Sequence, residues 1–105
     1  MPVAVVTGAG SGIGRATAER FGRKGWTIVV SDINEATGAE TVDRITRTGG
    51  SAVFRRLDVA DLEDWRQFTD WVCEEHGTPD LLVNNAGILS SPVDSWSRRV
   101  PIGVA

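Results

Sequence analysis

Four short apolar runs rich in β-branched residues alternate along the chain with longer stretches whose apolar positions recur at helical spacing. The runs lie near 2–7, 27–31, 52–57 and 80–84, and the spacing between them predicts helices over about 12–24, 34–48 and 61–76. The first helix is expected to place Ile13, Ala16, Thr17 and Phe21 on one face and to stop at Gly25. The second turns Ala39, Val42 and Ile45 toward the sheet and ends at Gly49-Gly50. The third opens with acidic residues that suit the positive end of its dipole, and buries Leu62, Trp65, Phe68 and Val72 before Gly77. Strands alternating with helices are the signature of βαβ units, so the predicted fold class is α/β with a doubly wound parallel sheet.

The strand Val3-Ala4-Val5-Val6 runs straight into Thr7-Gly8-Ala9-Gly10-Ser11-Gly12-Ile13-Gly14. Without side chains at Gly8, Gly12 and Gly14 a backbone can turn sharply, approach a pyrophosphate and start a helix packed tightly on the sheet. The N–H groups of that helix's first turn then face the phosphates. The spacing is GxxxGxG: Ile13 stands where a GxGxxG would need glycine, and no Gly-Lys-Ser/Thr of a P-loop is present. The turn implies nucleotide binding; the competing reading is a glycine-rich βα turn without a ligand. Asp32 ends the second strand eighteen positions beyond Gly14. There a carboxylate can accept hydrogen bonds from ribose hydroxyls and repel a 2′-phosphate, which favours NAD over NADP. The competing reading makes Asp32 the N-cap of the helix that begins near Asn34, and an Asp can serve both roles.

Composition narrows the partners. At 105 residues, 41% hydrophobic and 24% charged with twelve glycines, the sequence describes a single α/β domain. A net charge of −3 without a basic cluster argues against nucleic acid, and no apolar run approaches the length a bilayer needs. Met1-Pro2-Val3 does not open a secretory signal, so a cytoplasmic location is expected. Cys73 sits in a helical pattern as a small half-buried residue, and His76, near a helix end, has no second ligand at metal spacing. Asp58, Asp61, Glu63 and Asp64 could form a metal or carboxylate cluster; the preferred reading keeps Asp58 for a ligand and gives the others to a solvated helix start. A phospho-accepting receiver domain would need an acidic pair after the first strand, where Thr7-Gly8 stands.

In this order the motifs resemble the short-chain dehydrogenases/reductases over about residues 3–89. Thr7-Gly8 through Gly12-Ile13-Gly14 is similar to that family's TGxxxGIG turn, Asp58-Val59 to its adenine-contacting acid, and Leu82-Val83-Asn84-Asn85-Ala86-Gly87-Ile88 to its NNAG segment. The resemblance implies a Rossmann-like sheet of about four strands, order 3-2-1-4, with three main helices, and an NAD-binding half domain over 1–89. It also implies a dinucleotide site of Gly8, Ser11, Gly12, Ile13, Gly14, Asp32, Ile33, Asp58, Val59, Asn85, Ala86 and Gly87, with asparagines that tie the central strands together.

The family's hydride transfer uses a tyrosine whose pKa a nearby lysine lowers, beside a serine that holds the substrate oxygen. This chain has no tyrosine, and its only lysine is Lys24, far from any YxxxK pattern. Ser90 and Ser91 do not inherit the serine's role, and no asparagine follows Asn85, so no catalytic residue is assigned. The chain reads as a truncated, catalytically incomplete member; the alternative is a non-catalytic nucleotide-binding or interaction module. The tail over 90–105 is expected to be irregular or partly helical, with a helix start near Asp94–Val100 broken by Pro101 and Gly103. The edge of strand 80–84 is then open or covered only by the tail, which invites self-association or pairing and poor solubility as a monomer.

Overall fold

A computed structural model describes residues 2–85 and the backbone of 102–103. The elements run β1 (Val3–Thr7), α1 (Gly12–Arg23), β2 (Thr27–Asp32), α2 (Glu35–Arg47), β3 (Ser51–Arg56), α3 (Leu62–His76), β4 (Leu81–Asn84) and β5 (Ile102–Gly103). All strands pair in parallel, in the order β3-β2-β1-β4-β5. The expected order 3-2-1-4 and the three helices are present, and a short fifth strand is added.

β1 and β2 are nearly continuous valine, isoleucine and alanine, because both faces of these central strands are covered by helices. Successive side chains point to opposite faces, so each strand feeds two cores. Val5, Val29 and Leu82 meet Trp65, Phe68 and Val72 of α3 on one side. Ala4, Val6, Ile28, Val30 and Val83 meet Ala18 of α1 and Ile45 of α2 on the other.

The helices turn different faces to the sheet than their apolar spacing predicts. In α1 the buried residues are Gly14, Ala18 and Gly22, whereas Ile13 is 70% exposed, Ala16 is exposed and Thr17 is only half-buried. Of the predicted face only Phe21 packs on the core, its ring 5.1 Å from that of Trp26. In α2 the buried residues are Gly38, Thr41 and Ile45; Val42 is partly buried and Ala39 exposed. The cause is distance. A Cβ on Gly22 would stand 2.8 Å from Cγ2 of Ile45, so the two helices lie closer than larger residues at the contact would permit. α3 follows its hydrophobic pattern at Trp65, Phe68 and Val72, but the fourth buried position is Thr69 and Leu62 is 43% exposed.

On the outer side of α3, the Arg55 guanidinium lies 5.0 Å above the Trp71 ring, and the His76 ring meets Trp71 edge-on at 5.5 Å. His76 is therefore a packing residue at the helix end. β5 pairs Ile102 with Leu82 and Gly103 with Val83, so part of the segment expected to be irregular occupies the edge of β4. Unpaired backbone groups along β4 provide the reason, since any neighbouring extended segment can satisfy them. The expected helix start at 94–100 lies outside the described residues.

Phe68 and Leu62 have equal rank in the hydrophobic pattern but not in the structure. Phe68→Ala is expected to cost about 3–5 kcal/mol, whereas Leu62→Ala should cost less than about 1 kcal/mol. Urea unfolding of the two variants separates them; equal losses would mean that α3 packs in another rotation.

Candidate functional site

Because the strands are parallel, their C-terminal ends share one edge of the sheet, and the connecting loops meet there. Gly8 follows β1, Asp32 ends β2 and Ile33 follows it, and the segment Leu57–Ala60 follows β3; together they line a cleft of about 180 Å³. Crevices outside the carboxyl ends of open α/β sheets are the usual place for a ligand.

The turn after β1 is built from backbone. Gly8 and Gly12 adopt positive φ, 62° and 57°, where a side chain is strained. Gly14 has a different reason: a Cβ there would collide with the Gly8 carbonyl and stand 2.6 Å from Nδ2 of Asn85. The first turn of α1 thus lies directly against the end of β1. Its leading N–H groups, at Gly12, Ile13 and Gly14, have no acceptor within the helix.

How the three helices begin distinguishes α1. Asn34 caps α2 by accepting from the Thr37 N–H at 3.1 Å, and Asp61 caps α3 by accepting from Glu63 and Asp64 at 3.0 and 3.2 Å. Ser11, at the head of α1, makes no side-chain cap, and the first turn of α1 carries no acid. The positive end of its dipole is therefore left for an anion from outside.

Asp32 stands beside this turn. Its Oδ2 accepts the Gly10 N–H at 2.9 Å and its Oδ1 accepts the Asn34 N–H at 3.0 Å. It does not cap α2, because Asn34 does. A carboxylate has about four acceptor sites, so roughly two remain after these bonds. Ile33, 55% exposed, offers an apolar surface next to it.

Across the cleft, the Asp58 Oδ1 accepts the Ala60 N–H at 3.0 Å, and the Asp58 N–H donates to Oδ2 of Asp64 at 2.7 Å. Asp61 and Asp64 are thereby occupied with the backbone, and Asp58 is the carboxylate of this cluster that lines the cleft. Trp65, 1% exposed, donates its Nε1–H to the Val59 carbonyl at 2.9 Å and ties this wall to the core.

At β4, the Thr7 hydroxyl donates to Oδ1 of buried Asn84 at 3.0 Å, and Nδ2 of Asn85 donates to the Gly8 carbonyl at 3.3 Å. The two asparagines lock β4 and its exit to β1. Of the residues singled out from the sequence, Gly8, Asp32, Ile33, Asp58 and Val59 line one cleft. Ser11, Gly12, Ile13 and Gly14 form the helix start beside it, and Asn85 braces the turn. Ala86 and Gly87 lie outside the described residues. Sequence reasoning missed Leu57 and Ala60 as lining residues and Gly10 as the partner of Asp32. Only their adjacency to Asp58 and Gly12 could have pointed to them.

The arrangement can receive an anion at α1, a vicinal diol at Asp32 and a flat apolar group between Ile33 and Val59. The sequence has no tyrosine, and Lys24 is at the C-cap of α1, a helix length of about 18 Å from the turn.

Comparison with known proteins agrees with this architecture. The sequence profile described as short chain dehydrogenase matches residues 2–100. The probable oxidoreductase EphD of Mycobacterium tuberculosis is 47% identical over 94% of this chain, and the cyclohexanol dehydrogenase of an Acinetobacter species is 35% identical over 97% of it. The chain spans 18% of the first relative's length and 43% of the second's. Among solved structures, a metagenomic short-chain oxidoreductase in complex with NADP superposes with a TM-score of 0.80 at 36% identity, covering 83% of this chain and 39% of the other. The hydroxysteroid dehydrogenase of Escherichia coli gives 0.78 at 40% identity, covering 82% and 36%. With its glycine turn, its 3-2-1-4 core and its paired asparagines, the chain belongs to the short-chain dehydrogenase family.

Proposed function

We propose that these 105 residues bind a dinucleotide, NAD in preference to NADP, as the cofactor-binding part of an oxidoreductase that moves hydride between nicotinamide and an alcohol or carbonyl. One observation carries the reading: an uncapped, acid-free helix start follows directly on a turn whose Gly10 N–H is held by Asp32, a carboxylate with spare acceptor sites that lines the cleft. The pyrophosphate belongs at the N–H groups of Gly12, Ile13 and Gly14, which have no acceptor within the helix. The adenosine ribose hydroxyls belong at Asp32, and the adenine between Ile33 and Val59, next to Asp58.

The preference for NAD is electrostatic. Asp32 is held in place by two backbone N–H bonds, and a 2′-phosphate would bring a second negative charge against its carboxylate. Bound nicotinamide supplies or receives the hydride; this chain's own residues hold and orient the adenosine diphosphate portion. The substrate's proton needs a donor or acceptor that these residues do not include, so the chain by itself binds without turning over.

Isothermal titration is expected to give NAD and ADP-ribose affinities within about threefold of each other, with NADP at least about tenfold weaker, a difference of about 1.4 kcal/mol. A strong preference for NAD over ADP-ribose would require a nicotinamide pocket that the described residues do not form. Absence of binding by all three, from a protein that unfolds cooperatively, would remove the dinucleotide reading.

Asp32→Ala is expected to weaken NAD by about tenfold and to bring NADP and NAD closer together, because it deletes two acceptors and one negative charge. The check is the ratio of the two dissociation constants in the variant. Unchanged binding of both would take Asp32 out of the site.

A further inference from the structure

Thr41, in the middle of α2 and fully buried, is a polar residue that the site description leaves unused. Its hydroxyl oxygen lies 2.8 Å from the Ala9 carbonyl, within the glycine-rich turn, and 2.9 Å from Nε of Arg15 in α1. Arg15 also donates from Nη2 to the Thr37 carbonyl at 3.2 Å and pairs with Glu40 at 3.5 Å. Its side chain is 18% exposed, so the guanidinium is held between α1 and α2 and away from the cleft.

The direction of these bonds follows from the groups. A guanidinium only donates, so Nε–H of Arg15 occupies a lone pair of the Thr41 oxygen and leaves the single hydroxyl proton for another acceptor. Two carbonyls are in reach: Ala9 at 2.8 Å and Thr37 at 3.2 Å. The Thr37 carbonyl already accepts from Arg15. The proton therefore goes to Ala9, and Arg15 and Thr41 form a relay that ends on the glycine-rich turn.

The same short segment has two more tethers. The Ala9 N–H donates to the Ser31 carbonyl at 3.0 Å, and the Gly10 N–H donates to Asp32 at 2.9 Å. Ala9 is held on both its backbone groups, from β2 and from α2, while the N–H groups that follow at the start of α1 stay open.

We infer that Thr41 and Arg15 are positioning residues that fix the glycine-rich turn in its phosphate-receiving shape before any ligand arrives. This rests on the dinucleotide reading above. A turn already ordered loses less conformational freedom on binding, so the gain falls on ligands that carry the pyrophosphate and not on those that only fill the adenine and ribose positions.

The test compares adenosine with ADP-ribose by isothermal titration in the wild-type chain and in Thr41→Val, Thr41→Ser and Arg15→Met. Thr41→Val keeps the shape and removes the hydroxyl; it is expected to weaken ADP-ribose about tenfold and leave adenosine within about twofold. Thr41→Ser, which retains the hydroxyl, should restore ADP-ribose binding. Arg15→Met removes the donor at a partly exposed position and serves if Thr41→Val does not fold; it is expected to weaken ADP-ribose by about threefold, again without adenosine. Parallel loss of both ligands, or no loss of either, in the folded variants overturns the positioning role while leaving the site intact. A wild-type chain that binds neither ligand overturns the dinucleotide reading, and the positioning role with it.

Discussion

The contact between the first turn of α1 and the Gly8 carbonyl sets the geometry of everything at the strand ends. A helix can start this close to the strand that precedes it only if residue 14 has no Cβ. Once it does, the helix's unpaired N–H groups stand beside the turn that Asp32 holds, and its buried face is made of small residues, Ala18 toward the sheet and Gly22 against Ile45 of α2. The Gly8 carbonyl also accepts from Asn85, so the same atom registers the exit of β4 against the turn after β1. One crowded oxygen thus coordinates two of the loops that bound the site.

Electrostatics complete what packing begins. Two helices are closed by their own capping side chains, Asn34 and Asp61, and one is left open. The acids near the cleft divide in the same way. Asp61 and Asp64 are spent on backbone N–H groups at the start of α3, whereas Asp32 and Asp58 line the cleft. Asp32 does both tasks at once, bracing the turn through Gly10 while keeping acceptor capacity for a ligand. An anion-receiving helix end beside a diol-receiving carboxylate is complementary to the alternating phosphates and sugars of a dinucleotide.

The chain covers only part of the length of the family members it resembles. It spans 18% of one relative and 43% of another, and its similarity to solved short-chain enzymes has TM-scores of 0.78 and 0.80 over more than four-fifths of its own length. What these residues share with those enzymes is a βαβ scaffold with loops at one end. The residues that line the cleft and brace its turn, Asp32, Asp58 and Asn85, are placed by that scaffold.

The sequence by itself determined the succession of strands and helices, the parallel 3-2-1-4 core and the position of the glycine turn at the head of α1. Continuous β-branched runs can be buried on both faces only in a helix-covered parallel sheet, and GxxxGxG after a strand has few other uses. It also singled out Asp32 and Asp58, because acids at the ends of parallel strands share one edge. Tertiary structure alone decided which helix faces are buried. Hydropathy favoured Ile13, Ala39 and Leu62, yet burial went to Gly14, Gly38, Thr41 and Thr69, since helix–helix and helix–strand distances reward small volume over apolarity. It likewise decided that Asn34 and not Asp32 caps α2, that β5 pairs with β4, and that Thr41 reaches Ala9 across 32 residues of chain. Each of these is a match between partners distant in sequence, and such a match exists only once the backbones have been brought within hydrogen-bonding or van der Waals distance.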